Sequence, residues 1–93
     1  MNMVLENTAY RVSIRANNGQ ILHCQRTYLS QGVTLRGRKW YKDMRWFAFV
    51  YYNQGRSKQT FPGIPSECMS KKELLAAIMK HPQFTKASQE LKS

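Results

Sequence analysis

RWFAFVYYNQGRSKQTF, residues 45–61, is the stretch on which the reading of this chain turns. It sets Trp46, Phe47, Phe49, Tyr51, Tyr52 and Phe61 beside Arg45, Arg56 and Lys58, around an Asn-Gln-Gly turn at 53–55. Aromatic and β-branched residues broken by such a turn spell a β-hairpin. With Asn53, Gln54 and Gly55 as a three-residue loop, Tyr52 faces Arg56, Val50 faces Lys58 and Ala48 faces Thr60. Side chains alternate across a strand. Phe47, Phe49 and Tyr51, with Phe61, are therefore expected to form a bulky apolar face that covers a helix. Trp46, Ala48, Val50 and Tyr52 are expected on the other face with Arg56 and Lys58, where rings and cations meet.

The same punctuation occurs upstream. AYRVSIRA, residues 9–16, alternates Tyr10, Val12, Ile14 and Ala16 with Arg11, Ser13 and Arg15, the pattern of a half-buried strand. Asn17, Asn18 and Gly19 then form a three-residue loop, because only that length sets Ile14 opposite Leu22 and Val12 opposite Cys24 on one apolar face. Between the hairpins, alternation from Val33 predicts a strand to about Tyr41, interrupted near Gly37, with Lys42-Asp43 turning into the next. A three-stranded meander over about 33–41, 44–52 and 56–61 results. PGIPSEC, residues 62–68, is a connector, since its prolines cannot serve a ladder. SKKELLAAIMKH, residues 70–81, is a helix with a Ser70/Glu73 capping box and an apolar stripe of Leu74, Leu75, Ile78 and Met79, ended by Pro82. Residues 85–93 are expected to fray. The fold class is α+β: one domain over 1–93, an antiparallel sheet of four to five strands containing two Asn-x-Gly hairpins, and one C-terminal helix across one face.

Composition narrows the function. Fifteen Lys and Arg against five Asp and Glu give a net charge of +10. Arg36, Arg38, Lys39, Lys42, Arg45, Arg56 and Lys58 face one acid, Asp43, in this window, so 7 − 1 = +6 of the charge lies between residues 36 and 58. Such a field attracts a polyanion. Trp46 to Tyr52, the longest uncharged apolar run, is far shorter than the roughly 20 residues of a membrane span, so no membrane partner is expected. The N-terminal residues lack a basic and then apolar leader, which makes the expected location cytoplasmic. Cys24 and Cys68 then read as free thiols. With His23 and His81 they meet no zinc spacing, and no metal or other cofactor is expected.

GVTLRGRKWYKDMRWFAFVYYNQGRSKQTFPG, residues 32–63, followed by the connector and the capped helix, resembles the AP2/ERF DNA-binding pattern. In layout it is also similar to the amino-terminal arm-binding domains of tyrosine-type phage integrases. Both resemblances imply a three-stranded sheet with its exposed face in the DNA major groove. They imply contacts from Arg36 and Arg38 on a first strand, Trp46 on a second, and Arg56 and Lys58 on a third. Thr60 and Phe61 match the Thr-Phe that leads into the helix.

Arginine reads guanine in a bidentate fashion and a basic sheet face suits the phosphate backbone. The candidate interface is Arg36, Arg38, Lys39, Trp40, Lys42, Arg45, Trp46, Tyr52, Arg56 and Lys58. Its expected partner is nucleic acid, duplex DNA ahead of RNA, in a regulatory or recombination accessory role. Trp40, Trp46 and Tyr52 offer a stacking alternative for unpaired bases. Two other classes compete: a small inhibitor or modulator docking on an acidic protein, and a basic ribonuclease using His23 or His81. No nucleophile–base pair or paired carboxylates can be placed, so the chain is not read as an enzyme.

Overall fold

The computed structural model describes residues 2–92. It is an α+β fold, an antiparallel sheet backed by helices. Strands β1 (Val4–Asn7), β2 (Arg11–Arg15), β3 (Ile21–Val33), β4 (Lys39–Tyr52) and β5 (Ser57–Gln59) pair in chain order. A short β6 (Glu67–Cys68) joins β4 opposite Trp46 and Phe47. Helix α1 (Lys71–Lys80), a 3-10 turn (Pro82–Phe84) and α2 (Thr85–Lys92) complete the chain.

The β2–β3 hairpin forms in the expected register, with Val12 opposite Cys24 and Ile14 opposite Leu22. Ala16 N–H donates to Gln20 C=O across the loop, and Gly19 takes a φ of 94°. The β3–β4 connection repeats this geometry. Thr34 N–H donates to Arg38 C=O, Gly37 N–H donates to Thr34 C=O, and Gly37 has a φ of 83°. A residue with a side chain is strained there. The strand expected over 33–41 is thus the end of one strand, a hairpin loop at 35–37 and the start of the next. Lys42-Asp43 makes no turn and lies inside β4, although Asp43 carries a left-handed φ of 57°.

The last hairpin also departs from expectation. Tyr52 pairs with Ser57, Tyr51 with Lys58 and Val50 with Gln59, so the loop has four residues, 53–56. Asn53, Gln54 and Gly55 all take positive φ in it.

The core decides which face of β4 is covered. Val12, Ile14, Leu22 and Cys24 are buried, and β3–β4 pairing sets Cys24 opposite Ala48. Parity then puts Trp46, Ala48 and Val50 on the covered face, where all three are buried against a core shared with Leu74, Ile78, Phe84 and Ala87. This reverses the expected faces. Phe47, Phe49 and Tyr51 lie on the open side; of the expected apolar set only Phe61 is core.

Helix α1 starts as expected, with Ser70 Oγ accepting the Glu73 N–H at 3.2 Å. The Glu73 carboxylate returns to the Met69 N–H, one residue before the cap. Residues 85–92, expected to fray, form α2, with Ala87 and Ser88 buried; Ser93 lies outside the described residues. Glu90 explains much of this order. Its carboxylate accepts the Met3 N–H at 2.6 Å and the Val4 N–H at 3.1 Å, clasping α2 to the edge strand.

Cys24 and Cys68 are free and buried. Burial, helped by the neighbouring Cys68, pushes the Cys24 thiol from 9.0 up to about 12. The unfolded chain thus releases its proton first, so this stability is present below pH 9 and lost as pH rises toward 12. At pH 8 a thiol reagent is expected to label Cys24 only as fast as the fold opens, with urea speeding labelling in step with unfolding. Immediate labelling of both thiols in native protein contradicts this burial.

Candidate functional site

β3 and β4 outrun the core. From Leu29 to Asp43 no residue is buried, although Trp40, at 36% exposed, is covered over much of its surface. The two strands nevertheless stay paired out to Val33 and Lys39. At roughly 3.3 Å per residue this ribbon projects about 20 Å. The radius of gyration, 15.0 Å, exceeds the roughly 12 Å of a compact chain of this length.

The arm is basic and ringed. Arg36 lies in the tip loop, Arg38 and Lys39 beside it and Lys42 further down; all are exposed and none is ion-paired among the described residues. Trp40 lies across the strand on Gly32, where an added Cβ would sit 2.7 Å from the indole. Lys42 Nζ stands 5.6 Å from the Trp40 ring, a cation–π arrangement that holds the ammonium along the arm. Tyr28 and Tyr41 would lie on opposite faces of a regular ladder, yet their rings meet at 5.0 Å. The left-handed residue Asp43 lies between them along the hairpin and breaks the alternation. Leu29, Val33 and Leu35 are exposed as well, Leu35 completely so at 108%.

The other expected site residues lie elsewhere. Arg45, at the foot of the arm, pairs with Glu67 at 3.4 Å. Trp46 is core, 2% exposed, with the Lys71 ammonium 6.0 Å from its ring, and offers no surface to a ligand. Tyr52 packs against the core and its hydroxyl accepts a hydrogen bond from Gln20 Nε2 at 2.9 Å. Arg56 is exposed in the 53–56 loop, and Lys58 stands on β5 with Nζ 4.5 Å from the Phe49 ring. Lys39 and Tyr52 are the two ends of β4, roughly 40 Å apart. The ten residues therefore divide into an arm group (Arg36, Arg38, Lys39, Trp40, Lys42), the ion-paired Arg45 at its foot, a buried tryptophan and a separate far end (Tyr52, Arg56, Lys58).

Comparison with protein-family models, with curated proteins and with solved structures gives no match.

Sequence reasoning missed the open face of the body. There His23 pairs with Phe49 and Tyr51 with Lys58, and no helix covers them. His23 stacks on Phe49 at 6.0 Å and meets Tyr51 edge-on at 5.0 Å. Burial lowers the His23 pKa from its ordinary value, with Glu6 opposing, so the ring is neutral at pH 7. The sequence offered no signal for this face, since every position from Trp46 to Tyr52 is apolar and only the β3–β4 register, His23 opposite Phe49, assigns these rings to the open side. His81, the other histidine, is structural, its Nε2 lying 2.8 Å from Pro62 C=O and its ring against Phe61 and Phe84. Among the described residues no His, Cys, Asp and Glu group is placed to hold a metal, and no helix is long and apolar enough to cross a membrane.

Proposed function

We propose that this protein binds nucleic acid, duplex DNA foremost, by laying the β3–β4 arm in a groove. The observation that carries this reading is the arm itself. Four cations and a single acid sit on a two-stranded ribbon that has no buried residue. Ordering a chain costs roughly 1–2 kcal/mol per residue, and apolar burial, the usual compensation, is slight here. A partner supplies the compensation. The major groove, about 12 Å wide, admits a two-stranded ribbon. Arg36, Arg38, Lys39 and Lys42 suit four phosphates, the two arginine forks in bidentate fashion. The exposed Leu35, Val33 and Leu29 add apolar contact area to the arm.

A titration of labelled duplex DNA at several salt concentrations tests the reading. Four phosphate contacts give a log–log slope of about −3.6. Arg36→Ala with Arg38→Ala is expected to flatten that slope by about 2 and weaken binding at least tenfold. An unchanged slope removes the arm from the interface. Absence of binding even at low salt removes DNA, and the arm then becomes bait for an acidic protein.

A further inference from the structure

The open face of the body carries a second constellation, separate from the arm. β-pairing aligns Ser13, His23 and Phe49 in one row across it, and Tyr51 with Lys58 beside that row. Phe49 and Tyr51 meet edge to face at 5.2 Å, and His23 contacts both. Tyr51 is 43% exposed. Beside the rings a depression of about 320 Å³ is lined by Glu6, Arg11, Ser13, Gln25 and these aromatics, the small end of the range for ligand sites.

We infer that this depression is a stacking site for an unpaired nucleobase of single-stranded nucleic acid. Ring faces without a covering helix suit a base, and every base has a π-face to offer. A duplex hides its base faces inside the stack, so this surface fits a single strand and the arm fits a groove. Charge supports the same occupant. Lys58 Nζ rests 4.5 Å from the Phe49 ring and 5.8 Å from the Tyr51 ring, at the end of a flexible side chain. Exchanging that ring for a strand phosphate exposes the ring to the base and pairs the ammonium in one movement. Arg11 lines the far side of the depression and is placed for the next phosphate. Ser13 and Gln25 offer donors and acceptors to the base edge. Glu6, the acid in the lining, disfavours a bare anion there, so the base occupies the depression and the phosphates stay at its rim.

The test uses the full chain with a labelled twelve-nucleotide single strand, DNA and RNA versions, and a duplex in parallel. Phe49→Ala with Tyr51→Ala is expected to weaken single-strand binding tenfold or more and leave duplex binding within twofold. Arg36→Ala with Arg38→Ala is expected to do the reverse. Tyr51→Trp, which keeps a ring at the site, is expected to retain single-strand binding and to show emission quenched on saturation. The inference is overturned if the parent binds duplex but no single strand. It is also overturned if the ring variants bind the single strand like the parent, or if the emission of Tyr51→Trp does not respond. Loss of duplex binding alone counts against the arm and leaves the stacking site standing.

Discussion

Trp46→Ala is expected to lower the stability of this protein by about 3–5 kcal/mol, the usual cost of removing a large buried aromatic. Trp46 is 2% exposed, opposite Arg26 on β3 and Cys68 on β6, so the cavity opens between sheet and helices where neither can readily collapse. A domain of this length holds roughly 5–14 kcal/mol in total. The substitution therefore removes a large share and lowers the urea midpoint by about 1–5 M. A ligand contact at this position would behave in the opposite way, with stability unchanged and affinity reduced. Urea melts of the variant and its parent separate the two outcomes, and an unshifted midpoint would return Trp46 to the surface.

Excision of the arm should do the reverse. Tyr28 and Met44 are a registered pair, so replacing Leu29–Asp43 with Asn-Gly closes β3 and β4 by a two-residue hairpin. None of the deleted residues is buried. Stability is expected to change by no more than about 1 kcal/mol, the loss of the Tyr28–Tyr41 contact being the main term. Duplex affinity at low salt is expected to fall about a hundredfold, with the salt slope near zero. A shortened protein that melts like the parent and still binds duplex DNA would sink the arm as the interface. One that fails to fold would show that the ribbon supports the sheet, contrary to its exposure.

Much of the body was legible because polarity decided it. In β2, apolar and polar positions alternate strictly, so only one loop length buries the right side chains. Helix α1 was legible from its ends, where Ser70, Glu73 and Pro82 each have a local chemical reason to sit where they do. The second half resisted because Trp46 to Tyr52 is apolar at every position, and alternation then gives no face. Only the tertiary link from Cys24 to Ala48 chooses one. Two misreadings partly offset each other. The loop at 53–56 is one residue longer than expected, and Lys58 still ends on the open face, beside Phe49 and Tyr51 in place of Trp46 and Tyr52. The arm was hidden by its tip. Leu35-Arg36-Gly37 closes like Asn17-Asn18-Gly19, but leucine and arginine carry no turn signal of their own. Its cations were visible from the start; that they leave the body on a ribbon was not.

The clasp at Glu90 has a consequence in time. Met3 and the carboxylate that receives its amide are 87 residues apart. At a synthesis rate of about 5–20 residues per second, the edge strand waits roughly 4–17 seconds on the ribosome for its final partner. The β2–β3 and β3–β4 hairpins close within shorter stretches of chain and can assemble while that edge is still open. A nascent protein therefore passes through an interval with its hairpins formed and β1 unclasped, during which another strand can compete for the open edge.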